Sequence, residues 1–302
     1  MRRLPKSSIS SGQMRNGPSA CRMTESGWTK LGLIAGGGDL PLEILRAQAG
    51  KPVFVVVLKG FADRDYGGAD SVSLSVGEIG GIIKALRGAG CDAICFAGYV
   101  TRPDLKSLKM DARGLIMVPR ALAAGRKGDD AVIRVVVDEF ERAGFAVVGA
   151  DSLLGQDGLP AGCLGDAAAV EAHRDDAGKA MMVAAEIGRL DIGQGAVVAG
   201  GVVLAVEAQE GTNAMLERVA GLPAPIRGDA SRRLGVLAKR PKPIQERRVD
   251  LPTIGVGTVE RCAAAGLAGI VLEADGALIV DRAGVEGALK RHGLFVLIEP
   301  PE

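Results

Sequence analysis

The 302-residue sequence predicts an α/β protein with an N-terminal Rossmann-like parallel-sheet domain and a second α/β domain built on a mixed sheet. Three observations carry that expectation. Short apolar runs alternate with helical patterns along the first half. Those runs are uninterrupted and rich in β-branched residues, as strands covered on both faces are. A Gly-, Asp- and Ala-rich stretch at 149–169, without apolar periodicity, then separates a second alternation from the first.

Leu31–Ala35 reads as a buried strand running into Gly36, Gly37 and Gly38. Asp39 is placed to cap the following helix, Pro41 suits its first turn and Gly50 suits its end. Val53–Leu58 is the next strand, which completes a βαβ unit. Ile79–Arg87 then reads as helix, Ala93–Ala97 as strand, Asp130–Ala143 as helix and Ala146–Val148 as strand. In the second half Asp175–Leu190 is helical. The stretch Gln194–Ala208 is a strand region turning near Gly200 and Gly201, and Thr212 or Asn213 is placed to cap the next helix. Further on, "RLGVLAKRPK" gives a strand, and the remainder gives three more strands and two helices. The expected organisation is a disordered basic tail over 1–28, domains over 29–150 and 169–302, and a linker over 151–168. The tail's composition, from Arg2 to Arg22 without an acid, cannot bury enough apolar surface to order itself, or else Met23 is the real start.

Composition excludes several classes. A net charge of +1 leaves no broad electrostatic footprint for nucleic acid, and 3% aromatic content leaves few stacking platforms. Five cysteines without CxxC spacing suggest reduced thiols in the cytoplasm, and two histidines argue against His-rich zinc sites. No apolar run approaches the ~20 residues of a membrane span, so a soluble protein is expected.

The glycine loop lacks the third glycine of a dinucleotide fingerprint, and the second strand ends in Leu58–Lys59–Gly60, without the ribose-binding acid. A tight structural turn or another anionic ligand fits it better than NAD or FAD. Cys91 and Cys95 read as core. Arg102 and Lys106, beyond a strand's carboxyl end, suit either an anion or simple solvation. Asp129 and Asp130 open a helix beside Arg126 and Lys127, where they serve the helix dipole or contact a hard metal.

The sharpest feature is "KRPKPIQERRVDLPTIG" at 239–255, with five cations between Lys239 and Arg248 and a lone carboxylate, Asp250, after them. Pro241 and Pro243 limit the segment's wandering. Such a loop suits phosphate oxygens, with Glu207, Glu210 and Asp250 supplying acids from neighbouring strand ends. Cations and carboxylates without His or Cys fit metal-assisted phosphoryl chemistry; the plain alternative is a salt-bridged surface loop.

Together with "IAGGGDLP", "GYVTRP", "KGDDA", "AVEAQEGTNAML" and "GLAGIVLEADGALIVDR", this segment resembles the LpxI family of UDP-2,3-diacylglucosamine diphosphatases over residues 31–298. The resemblance implies hydrolysis of UDP-2,3-diacylglucosamine to UMP and lipid X in lipid A biosynthesis, with Mg²⁺ and water attacking the β-phosphorus. It implies that Lys239, Lys242 and Arg248 neutralise the diphosphate and that Asp250 binds Mg²⁺ or orients the water. Glu207, Glu210, Asp129 and Asp130 are further metal candidates, and Gly36, Gly37, Gly38, Lys127, Gln245 and Thr253 are substrate-binding candidates. Asn213 and Glu246 stand where the family pattern usually has Asp, and Asn213 is kept out of the catalytic group. The expected setting is cytoplasmic, with peripheral contact at the inner membrane face, a lipid-linked nucleotide sugar as substrate, and a homodimer as one possible assembly. Two rival classes are a nucleotide-sugar binder without catalysis and a Rossmann-type oxidoreductase.

Overall fold

The computed structural model describes residues 27–101, 108–126, 128–156 and 159–301. The tail, Arg102, Lys106 and Lys127 therefore lie outside the described residues. The first half is built from β1 (Leu31–Ala35), α1 (Leu40–Ala47), β2 (Val53–Leu58), β3 (Ser71–Leu74), α2 (Ile79–Gly88), β4 (Ala93–Ala97), α3 (Ala112–Gly125), α4 (Asp129–Arg142), β5 (Ala146–Val147) and α5 (Ala150–Leu153). Its five strands are all parallel, in the order β3-β2-β1-β4-β5. Leu33, Val55, Val56 and Ile94 are fully buried, as an apolar run between two helical layers requires. Each such side chain contributes roughly 1.5–3 kcal/mol relative to exposure.

The second half comprises β6 (Gly162–Gly165), α6 (Ala167–Val170), α7 (Arg174–Arg189), β7 (Gly195–Ala199), β8 (Val202–Val206), α8 (Gly211–Ala220), α9 (Ala224–Arg227), β9 (Val236–Lys239), β10 (Thr253–Ile254), α10 (Val256–Ala264), β11 (Gly269–Glu273), β12 (Leu278–Ile279), α11 (Arg282–His292) and β13 (Phe295–Glu299). Six strands form a mixed sheet in the order β6-β13-β11-β9-β7-β8, and β10 pairs separately with β12. The central strands β9, β11 and β13 are parallel, while β6, β7 and β8 join antiparallel.

Local differences from the sequence reading have physical reasons. Residues 162–165, read as linker, form an edge strand on β13, a role that needs backbone hydrogen bonds rather than an apolar alternation. Asp39 stands at the start of α1 but caps nothing, because its carboxylate pairs with Arg64 at 2.7 Å. Thr212 likewise falls inside α8, and its hydroxyl donates to Glu207 Oε1 at 2.9 Å.

The two halves share apolar surface. Leu251 and Leu278, from the second half, are buried in the cluster that contains Leu31, Val55 and Leu153 of the first. The loops after β1 and β4 leave adjacent strands whose helices cover opposite faces, so a crevice opens there at the sheet's carboxyl end. The β9–β10 segment of the second half fills one side of that crevice.

Candidate active site

A cleft of about 750 Å³ occupies the crevice, lined by Gly37 and Gly38 after β1, Gly98 and Tyr99 after β4, and Lys239, Arg247, Asp250 and Thr253 from the second half. The glycine loop is shaped by Tyr99. A Cβ on Gly36 or Gly37 would collide with the Tyr99 backbone or ring, which is why no larger residue fits. Gly38 N–H donates to Asp63 Oδ1 at 2.9 Å, and Tyr99 Oη donates to Asp63 Oδ2 at 3.0 Å. The loop is thus a tight turn, braced by two residues that the sequence reading did not single out.

A second cleft of about 600 Å³ adjoins the first and shares Gly98, Tyr99, Val249 and Asp250 with it. Its wall is apolar, with Val132, Val136 and Phe140 of α4, Val76 and Ile79 near α2, and Phe96 of β4. Asp250 therefore stands where a polar, cation-bearing cleft meets an apolar one. Burial pushes its carboxyl above the ordinary carboxylate range; Gln245 pulls it down, Asp130 pushes it up further, and Lys242 and Lys239 pull it down.

Helix α4 clasps the 239–255 segment along one face. Asp130, Arg134 and Glu141 recur at spacings of four and seven residues, which places them on one stripe. Asp130 Oδ2 lies 2.9 Å from Lys242 Nζ, Arg134 donates to the Ile244 carbonyl at 2.6 Å, and Glu141 meets Arg248 at 2.7 Å. Lys242 also pairs with Asp191 at 2.6 Å. Burial opposes its charge, but the two carboxylates outweigh that and hold its pKa above the ordinary lysine value. Asp191 itself takes a left-handed backbone (φ 55°) and sits where a Cβ on Gly128 would strike it. Gly128 lets the start of α4 approach that closely.

Most of the cation cluster is therefore engaged. Arg240 meets Glu273 at 2.6 Å, Arg247 meets the same carboxylate more loosely at 3.5 Å, and Arg248 is held by both Glu246 and Glu141. Those two acids raise the pKa of Arg248 and leave its guanidinium committed rather than presented to a phosphate. Lys239, 5% exposed at the end of β9, donates to the Thr253 carbonyl at 3.2 Å and lines the polar cleft. Gln245, expected to touch substrate, is 7% exposed and hydrogen-bonds Asp250 Oδ2 at 2.6 Å instead.

The candidate metal ligands divide the same way. Glu210 is engaged by Arg218 at 2.6 Å, and Glu207 accepts from Thr212 while its other oxygen is buried without a hydrogen-bond partner among the described residues. Neither lines either cleft. Asp129 lies on the rim of the apolar cleft, 3.4 Å from Gln209. No three acidic, His or Cys side chains among the described residues are grouped to hold an ion. Asp130 is 2% exposed, and its contact with Lys242 is ionic without hydrogen-bond geometry, so neither of its oxygens accepts a hydrogen bond among the described residues. Magnesium takes one or two protein carboxylates and completes its octahedron with water and substrate phosphates. Of the five candidates Asp250 alone lines both clefts, whereas Asp130 lines neither and is paired with Lys242, so a cage formed by all five does not exist.

Two family models match, the LpxI N-terminal domain over residues 30–156 and the LpxI C-terminal domain over residues 160–297. A curated relative, the UDP-2,3-diacylglucosamine pyrophosphatase LpxI of Caulobacter vibrioides, is 58% identical over 279 residues, spanning 90% of this chain and 99% of that protein. The chain belongs to the LpxI family.

Proposed function

We propose that this protein hydrolyses the diphosphate of UDP-2,3-diacylglucosamine, releasing UMP and 2,3-diacylglucosamine 1-phosphate, in lipid A biosynthesis. The family relationship supports the reaction class, since the Caulobacter vibrioides relative is a UDP-2,3-diacylglucosamine pyrophosphatase. The observation that carries the assignment of parts is the position of Asp250 between a cationic cleft and an apolar one. A diphosphate flanked by a nucleoside on one side and a diacylated sugar on the other has the same polarity sequence.

In this reading Lys239 and Arg247 face the diphosphate, and the acyl chains enter the apolar cleft along Val132, Val136 and Phe140. The Asp250 carboxylate, held by Gln245, accepts a proton from the water that attacks the β-phosphorus. Mg²⁺ would be held by Asp250 together with phosphate oxygens, and would supply neutralisation of charge on the departing UMP. A water-insoluble substrate places the protein in peripheral contact with a membrane; no helix among the described residues is long and apolar enough to cross one.

The test is direct: incubate the purified protein with UDP-2,3-diacylglucosamine and Mg²⁺ and follow UMP by chromatography. Stoichiometric UMP and sugar 1-phosphate are expected. Reaction in ¹⁸O-water should label the sugar 1-phosphate; label in UMP instead would overturn attack at the β-phosphorus. Tight binding without turnover would reduce the protein to a nucleotide-sugar binder.

A further inference from the structure

Helix α3 is packed inside out for a protein surface. Its buried residues are Gly114, Met117 and Ala124, two of them among the smallest available. Its outward side carries Leu115, Ile116 and Leu122, which are 60%, 72% and 55% exposed. Ala112, Pro119 and Ala123 are exposed between them. At 100° per residue these six fall on one continuous stripe. Scattered surface leucines need no explanation, whereas a contiguous apolar helix face does.

Charge identifies the occupant. No Asp or Glu occurs between Ala112 and Arg126, while exposed Arg120 borders one side of the apolar stripe, 3.6 Å from Glu139 of α4, and exposed Arg126 closes its end. An apolar stripe on a helix whose own charges are all cationic is the pattern of helices that lie in the boundary of an anionic bilayer. A second copy of the chain fits less well, because in a two-fold contact α3 would offer its partner's arginines no acid of its own.

The helix is also joined to the apolar cleft. Asp111, its N-cap, accepts from Gly114 N–H and from Gly81 N–H, both at 2.8 Å, and its own N–H donates to Gly77 O at 3.3 Å. Gly77 lies between Val76 and Ile79, which form a wall of that cleft. A bilayer seated on α3 is thereby tied to the wall along which the acyl chains would move.

We propose that the exposed face of α3 is a docking surface for an anionic lipid bilayer, which brings the apolar cleft to the membrane that holds the substrate. The inference rests on reading the substrate as diacylated. The experiment uses the full chain and floats it with vesicles of phosphatidylethanolamine and phosphatidylglycerol, and with phosphatidylcholine vesicles for comparison. The wild-type protein should float with the anionic vesicles and be released by high salt. The triple variant Leu115→Glu, Ile116→Glu, Leu122→Glu should lose about tenfold or more in vesicle binding. It should still hydrolyse detergent-dispersed substrate at the wild-type rate with an unchanged melting temperature. Should that variant fail to fold, the milder pair Leu115→Gln and Ile116→Gln supplies the same comparison. Equal flotation of variant and wild type, absence of flotation by wild type, or a dimer that the variant splits without any change in flotation would each overturn the docking proposal. Flotation that depends on α3 while neither protein releases UMP would support docking and strike only the assigned reaction.

Discussion

Gln245 Nε2 donates to Asp250 Oδ2 at 2.6 Å and to Gln194 Oε1 at 3.2 Å, while Gln245 Oε1 accepts from Lys242 N–H at 2.8 Å. Both amide hydrogens and the carbonyl are committed, so this buried side chain has one satisfied orientation. The consequence is a carboxylate aimed by a group that does not itself reach substrate. Gln245→Leu is therefore expected to lower kcat by roughly 10–10²-fold with little change in KM. Because the lost hydrogen bond favours the ionised carboxylate, the acid limb of the kcat–pH profile should also move to higher pH. An unchanged profile would mean that Gln245 only fills space.

Asp250 is expected to trade stability for activity. Its folded-state pKa lies above the ordinary value, so the ionised form is penalised by folding. That penalty is present above the folded pKa and is relieved as pH falls through it. Asp250→Asn should hence leave Tm equal or higher at pH 7, with the gain disappearing under acid conditions, while kcat drops by about 10²–10⁴-fold. Thermal melts at several pH values, alongside saturating-substrate kinetics, decide the matter. A variant that melts early would make the carboxylate structural.

Much of the fold is legible in the sequence because burial on both faces leaves an unmistakable run, as at Leu31–Ala35 and Val53–Leu58, whose bounds the strands match. The short edge strand Ser71–Leu74 carries no such run, since it is half exposed. At the site, the sequence singles out Asp250 and Lys239 as chemically unusual, but it cannot reveal what neutralises the other cations. Apart from Glu246, the partners of Lys242 and Arg248 lie on α4 and after α7, more than fifty residues earlier in the chain, and Asp191 has no motif at all. The polar stripe of Asp130, Arg134 and Glu141 was available as a helical spacing; only the fold shows that it faces the loop.

The proposed reaction carries a requirement for a divalent metal at the cleft that Asp250 lines. Turnover should vanish in excess EDTA and return with added Mg²⁺, and Mg²⁺ with a non-hydrolysable diphosphate should raise Tm through preferential binding to the folded state. Asp250→Asn should weaken that thermal response as well as the rate. Full activity after exhaustive chelation would remove the metal from the reaction.

The two lysines of the loop should separate cleanly. Lys242 is held between Asp130 and Asp191 with little exposure, so replacing it leaves two acids near one another without their cation. Breaking one partner out of a buried ionic cluster costs about 3–5 kcal/mol, and Lys242→Met should lower Tm markedly. Because Lys242 also ties α4 to the loop, the variant should lose Asp250 positioning and kcat together. Lys239 instead has a backbone carbonyl as its partner and borders the polar cleft. Lys239→Met should cost about 1 kcal/mol of stability or less, yet weaken substrate binding, with kcat/KM reduced roughly 10–10²-fold through lost phosphate contacts. Chemical denaturation gives the first quantity and initial-rate kinetics the second. Equal destabilisation by the two substitutions, or a KM untouched by Lys239→Met, would show that the cluster is one structural unit and that the diphosphate is neutralised elsewhere.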